Sequence, residues 1–105
     1  MNLNITEISY ETGEVRFRYA RYLSPDGARW IRHGLFTEFH RNGQLASQGT
    51  YEDGFEEGSW QDFYESGQIA AEGTYYRGAE VGIWRYWNQD GIEEIPESRG
   101  DGLLE

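Results

Sequence analysis

The chain has 105 residues, enough for one modest domain, with 17 aromatic rings (four Trp, eight Tyr, five Phe), 14 glycines, two prolines and a net charge of −10. With no cysteine it has no disulfide framework, thiolate metal site or cysteine nucleophile. No apolar run approaches the roughly 20 residues that span a bilayer, and the start Met1-Asn2-Leu3-Asn4-Ile5-Thr6-Glu7 has neither a basic region nor a long apolar stretch, so a cytoplasmic protein without a signal peptide is expected.

Taken in chain order, residues 1–33 read as a degenerate opening unit. Tyr10-Glu11-Thr12-Gly13 suits a turn, and Phe17, Tyr19 and Tyr22 alternate with Arg16, Arg18 and Arg21 along a strand. Ser24-Pro25-Asp26-Gly27 is a second turn. From Gly34 onward the chain repeats every 24 residues: Gly34, Gly58 and Gly82; Gly43, Gly67 and Gly91; Phe36, Trp60 and Trp84; Phe39, Phe63 and Trp87. Gly49/Gly73, Gly54/Gly78, Tyr51/Tyr75, Leu45/Ile69, Gln44/Gln68, Ala46/Ala70 and Thr50/Thr74 keep the same step.

One unit explains the others. Trp60 to Tyr64 suits an aromatic strand, Ser66-Gly67 a tight turn, and Ile69 to Tyr75 the returning strand. The equivalent pairs Asn42-Gly43 and Asp90-Gly91 predict type I′ turns, with positive φ at both central residues. Gly73 inside a strand marks a bulge or a close backbone approach. A longer turn, Tyr-x-x-Gly-x-x-x-Gly, then leads into the next hairpin. The units are 34–57, 58–81 and a last one, 82–97, which loses regularity at Glu93 and Pro96; residues 98–105 read as a disordered tail. The predicted fold is all-β: an elongated single-layer antiparallel sheet of tandem β-hairpins forming one domain over 1–97, since a lone hairpin is marginal in water and must stack on its neighbours.

Tyr51-Glu52-Asp53-Gly54-Phe55-Glu56-Glu57-Gly58-Ser59-Trp60, repeated as Tyr75 to Trp84, resembles the MORN repeat. Gly58-Ser59-Trp60-Gln61-Asp62-Phe63-Tyr64 and Asn42-Gly43-Gln44-Leu45 resemble its variant form over about residues 34–91. The resemblance implies the open single-layer sheet. It also implies the uses of similar proteins: YwqK-like antitoxins and bacterial immunity proteins on one side, and scaffolds associated with membranes and phosphoinositides on the other.

The residues favour binding over catalysis. His33 and His40 fall in no metal motif, and no nucleophile constellation or phosphate-binding loop is present. Asp53-Gly54-Phe55-Glu56-Glu57 lacks the spacing of a calcium loop and reads as solvated turn acids. No cofactor, metal or catalytic residue is expected. Residues 1–51 carry six Arg and five carboxylates (+1), whereas 52–105 carry three Arg and fourteen carboxylates (−11). An acidic half repels nucleic acid and anionic lipid and attracts basic proteins. The expected partner is therefore a basic protein, such as a toxin domain that the chain would neutralise. Glu52, Asp53, Glu56, Glu57, Asp62, Glu65 and Glu72 are the expected acidic contacts, with Tyr64 and Tyr76 as anchors. Pairing of two copies through a sheet edge is a further expectation, and a scaffold or membrane-surface role is the alternative function.

Overall fold

The computed structural model describes residues 2–95 and 97–98; the expected tail lies outside the described residues except for Ser98. The described strands are β1 (Asn4–Ser9), β2 (Val15–Leu23), β3 (Trp30–Phe39), β4 (Leu45–Glu52), β5 (Phe55–Phe63), β6 (Ile69–Tyr76), β7 (Ala79–Tyr86) and β8 (Glu97–Ser98). Each pairs antiparallel with its neighbours in chain order, so the sheet is open and one layer thick. Its extents are 45 × 41 × 17 Å. The short β8 adds to the outer edge of β7 through Ile83–Ser98 and Trp84–Glu97 pairs.

The hairpins turn at two ends of the sheet, with different chemistry at each. At one end Tyr10, His40, Tyr64 and Asn88 each donate their N–H to the carbonyl four residues on and accept the N–H of Gly13, Gly43, Gly67 or Gly91. These glycines have φ between 82° and 103°, but the residues before them do not share the positive φ. Such a turn is a type I turn closed by a left-handed glycine, not the type I′ expected at Asn42-Gly43 and Asp90-Gly91. Side-chain bonding accounts for the difference. Asn42 Oδ1 accepts the Gln44 N–H, and Asn88 Oδ1 accepts those of Asp90 and Ile92, local loops that hold the turn residue in a right-handed conformation.

At the opposite end the type I′ turns are Asp53-Gly54 (φ 50° and 94°) and Arg77-Gly78 (φ 51° and 84°). They replace the longer turn expected there. β5 therefore begins at Phe55, directly across from Glu52, and Gly58 lies inside the strand rather than in a loop. The first turn at this end is wider: Ser24 N–H reaches the Arg29 carbonyl, and Asp26 Oδ1 takes the Ser24 hydroxyl and the Ala28 N–H.

The core is a line of rings on one face. Phe36, Trp60 and Trp84 are buried, with Phe17, Tyr19, Tyr51, Tyr75 and Tyr86 packed against them. Ring centroids step across the strands at 5.5 Å (Phe36–Trp60), 5.7 Å (Trp60–Tyr75) and 5.1 Å (Tyr75–Trp84). An open sheet buries a tryptophan this well because the indole lies over a glycine of the preceding strand. Trp60 covers Gly49 and donates its N–H to the Thr50 carbonyl; Trp84 covers Gly73 and donates to that of Thr74. Both glycines sit where the ladder register shifts, so the bulge and the close approach read from Gly73 occur together.

Candidate functional site

Around the two type I′ turns, Glu52, Asp53, Phe55, Glu57, Tyr76 and Arg77 line an open groove of about 430 Å³. Strand alternation puts Phe55 and Glu57 on the face opposite Trp60. Phe55 and Tyr76 are 55% and 43% exposed there, which makes them available anchors rather than core. Beside the groove, the Tyr22 hydroxyl donates to Asp53 Oδ1 at 2.8 Å, and His33 Nδ1 accepts the Asp53 N–H at 3.1 Å. The bond to Asp53 raises the Tyr22 hydroxyl pKa, with desolvation adding to it. One repeat later Glu57 Oε1 accepts the Arg77 N–H at 3.0 Å, so Glu57 fills the place of His33 and also secures a turn.

The nine expected contact residues divide by position. Glu52, Asp53, Glu57 and Tyr76 come together in the groove. Glu56 and Asp62 stand on the aromatic face instead, in the same alternation as Trp60. Together with Glu80 they act on Tyr75, whose hydroxyl is pushed up to about 12, first by desolvation and then by Glu80, Glu56 and Asp62. Asp62 also accepts the Ser47 hydroxyl at 2.7 Å. Glu72 pairs with Arg85. Tyr64 and Glu65 belong to the other end of the sheet, where Tyr64 donates to the Trp87 carbonyl and the Glu65 carbonyl accepts from Asn42. These two residues join one hairpin turn to the next: Tyr10 donates to the Phe39 carbonyl and His40 meets that of Phe63 in the same manner.

Sequence reasoning missed Phe55 as an anchor. The signal was its place directly after Asp-Gly, which the correct turn assignment makes the first strand residue. Among the described residues, no three His, Cys, Asp or Glu side chains gather where they could hold a metal ion.

The model of the MORN repeat variant matches residues 32–53 and 56–75. Its two matches coincide with the β3–β4 and β5–β6 hairpins, so these MORN-type units form the middle of the sheet and supply both sides of the Asp53-Gly54 turn. No curated protein matches the chain. Among solved structures, a chain of the crystal structure of the GtfA/B complex bound to UDP and GlcNAc is 23% identical, over 91% of this chain and 19% of that chain, with a TM-score of 0.30. At that level of likeness, nothing about this chain follows from it. Among the described residues, no helix is long and apolar enough to cross a membrane.

Proposed function

We propose that the chain is a non-enzymatic protein-binding module whose groove at the type I′ turns docks a basic protein, acting in the cytoplasm. The observation that carries this reading is the convergence of Glu52, Asp53 and Glu57 around the exposed Phe55 and Tyr76. Exposed rings ringed by charge have the chemistry of an interface hot spot. Carboxylates on a rigid sheet speed encounter with a cationic partner and suppress wrong ones. The repeat-model match supports a binding scaffold, and the surplus of fourteen carboxylates over three Arg in residues 52–105 supports a basic target. Within this reading, the specific role is that of an immunity protein or antitoxin that covers the cleft of a basic toxin domain.

Co-expression with the product of the neighbouring gene, followed by tag pull-down and a growth assay, tests it. A stable complex that rescues growth, and that loses on-rate when Glu52 and Glu57 are reversed to Lys, is the expected result. No complex and no rescue would reject the immunity role. A chain that instead sediments with anionic vesicles would favour the membrane-surface scaffold.

A further inference from the structure

Arg21 and Arg32 are direct partners across the β2–β3 ladder, so two guanidinium groups share one face at one rung. Like charges directly opposite destabilise an antiparallel pair. Arg16, Arg18, Arg41 and Arg85 each hold a carboxylate. Among the described residues, Arg21 and Arg32 form no ion pair. Arg21 Nε donates to the neutral Asn4 Oδ1 at 3.1 Å, and Arg32 hydrogen-bonds the neutral Tyr51 hydroxyl, on which Glu56 also acts.

Both guanidinium groups, like those of the ion-paired arginines, are laid on rings: Arg21 is 4.0 Å from the Trp30 centroid, and Arg32 is 4.9 Å from that of Tyr19 and 5.4 Å from that of Tyr51. A stacked guanidinium has little freedom left and presents its N–H edge in a fixed plane. Tyr19, Arg21, Arg29, Trp30, Ile31, Arg32 and Gly54 line a cavity of about 330 Å³, which adds a third arginine. A pair of repelling cations, oriented by rings and opening into one cavity, is completed by a shared anion.

The geometry points to an oxyanion-binding site between Arg21 and Arg32, taking a small doubly charged ligand, either a phosphate group or a dicarboxylate, with Arg29 closing over it. Fork-shaped guanidinium donors match the paired oxygens of both ligand types. The site borders the acidic groove at the Asp53-Gly54 turn but shares no charged residue with it, and it does not depend on that groove's function.

Trp30 is the local reporter. Its indole N–H signal in a two-dimensional NMR spectrum, assigned with Trp30→Phe, is followed while sodium phosphate or sodium succinate replaces chloride at constant ionic strength. The expected result is a saturable shift in at least one arm, and the tighter arm names the ligand group. In Arg21→Gln and in Arg32→Gln the affinity should fall at least about tenfold, since a hydrogen bond to a charged group contributes roughly 1.5–3 kcal/mol. Unmoved indole signals of Trp60 and Trp84 in those variants would show that the fold is intact. A shift no larger than that in chloride in both arms, or a saturable shift undiminished in folded Arg21→Gln and Arg32→Gln, overturns the assignment.

Discussion

A Cβ at Gly49 would sit 2.2 Å from the Trp60 ring, and one at Gly73 would sit 2.1 Å from the Trp84 ring. Neither indole has room to retreat: Trp60 is clamped between Tyr51 and Tyr75, Trp84 packs edge-on against Tyr75, and each is bonded to a backbone carbonyl. Gly49→Ala should therefore destabilise by about 3 kcal/mol through overpacking. Gly43→Ala makes a useful contrast. Its site is open space, but its φ is +87°, so only backbone strain of about 1–2 kcal/mol is expected. Denaturant midpoints at matched slopes would rank the two, and a larger loss at Gly43 would refute the flat-ring account. Tyr75 gives a pH test at the same scale. Burial, Glu80, Glu56 and Asp62 push its hydroxyl up to about 12, so folding favours the neutral phenol. Its contribution is whole below about pH 10, the unfolded value, and disappears as pH climbs to about 12. Tyr75→Phe should leave stability at pH 7 nearly unchanged and flatten the loss between pH 10 and 12, as read from urea midpoints; an unaltered alkaline limb would shift the effect to Tyr51, whose pKa is also raised.

Among the elements, the turns separate what the sequence made legible from what it hid. The 24-residue period exposed the strands, because equivalent rings must face equivalent neighbours. It did not distinguish the two ends of a hairpin. Asn42-Gly43 and Asp53-Gly54 both look like type I′ dipeptides, and only strand register decides which closes a two-residue loop. The same missing register scattered the expected site. Glu56 and Glu57 are adjacent in sequence, yet strand alternation sends one to the aromatic face and the other to the groove. The turn assignment yields its own prediction at Arg77, a long side chain held at φ 51° with its N–H bonded to Glu57. Asn tolerates this conformation better and keeps the backbone donor. Arg77→Asn should stabilise the protein by about 0.5–1 kcal/mol, comparable to other corrected turn residues. Thermal unfolding would check this, and a lowered midpoint would mean that the Arg77 side chain itself contributes to folding.

Across the whole molecule, each strand pairs only with its neighbours in sequence and its rings reach at most to the next strand but one, as Phe36 reaches Trp60, so stability is distributed along the array rather than around a central core. The line of rings begins at Phe17 on β2 and runs to Trp84 on β7, and β1 contributes no ring to it. β1 is paired on one side only, with Ile5 63% and Ile8 47% exposed. It contributes a ladder, the Glu7–Arg18 pair and the Asn4–Arg21 hydrogen bond, but little buried apolar area. Strand opening should therefore start at β1, with its amides exchanging with solvent much faster than those of β4, β5 and β6, which have ring-bearing neighbours on both sides. Removing residues 1–9 should leave a chain that still unfolds cooperatively, at a lower midpoint and with the Trp60 and Trp84 indole signals in place. Trp60→Ala should behave differently, because it cuts the line in the middle: with about 3–5 kcal/mol lost, both halves are left with too few rings to fold alone. If deletion of β1 and loss of Trp60 proved equally disruptive, the sheet would be a single all-or-none core rather than an array held by neighbours.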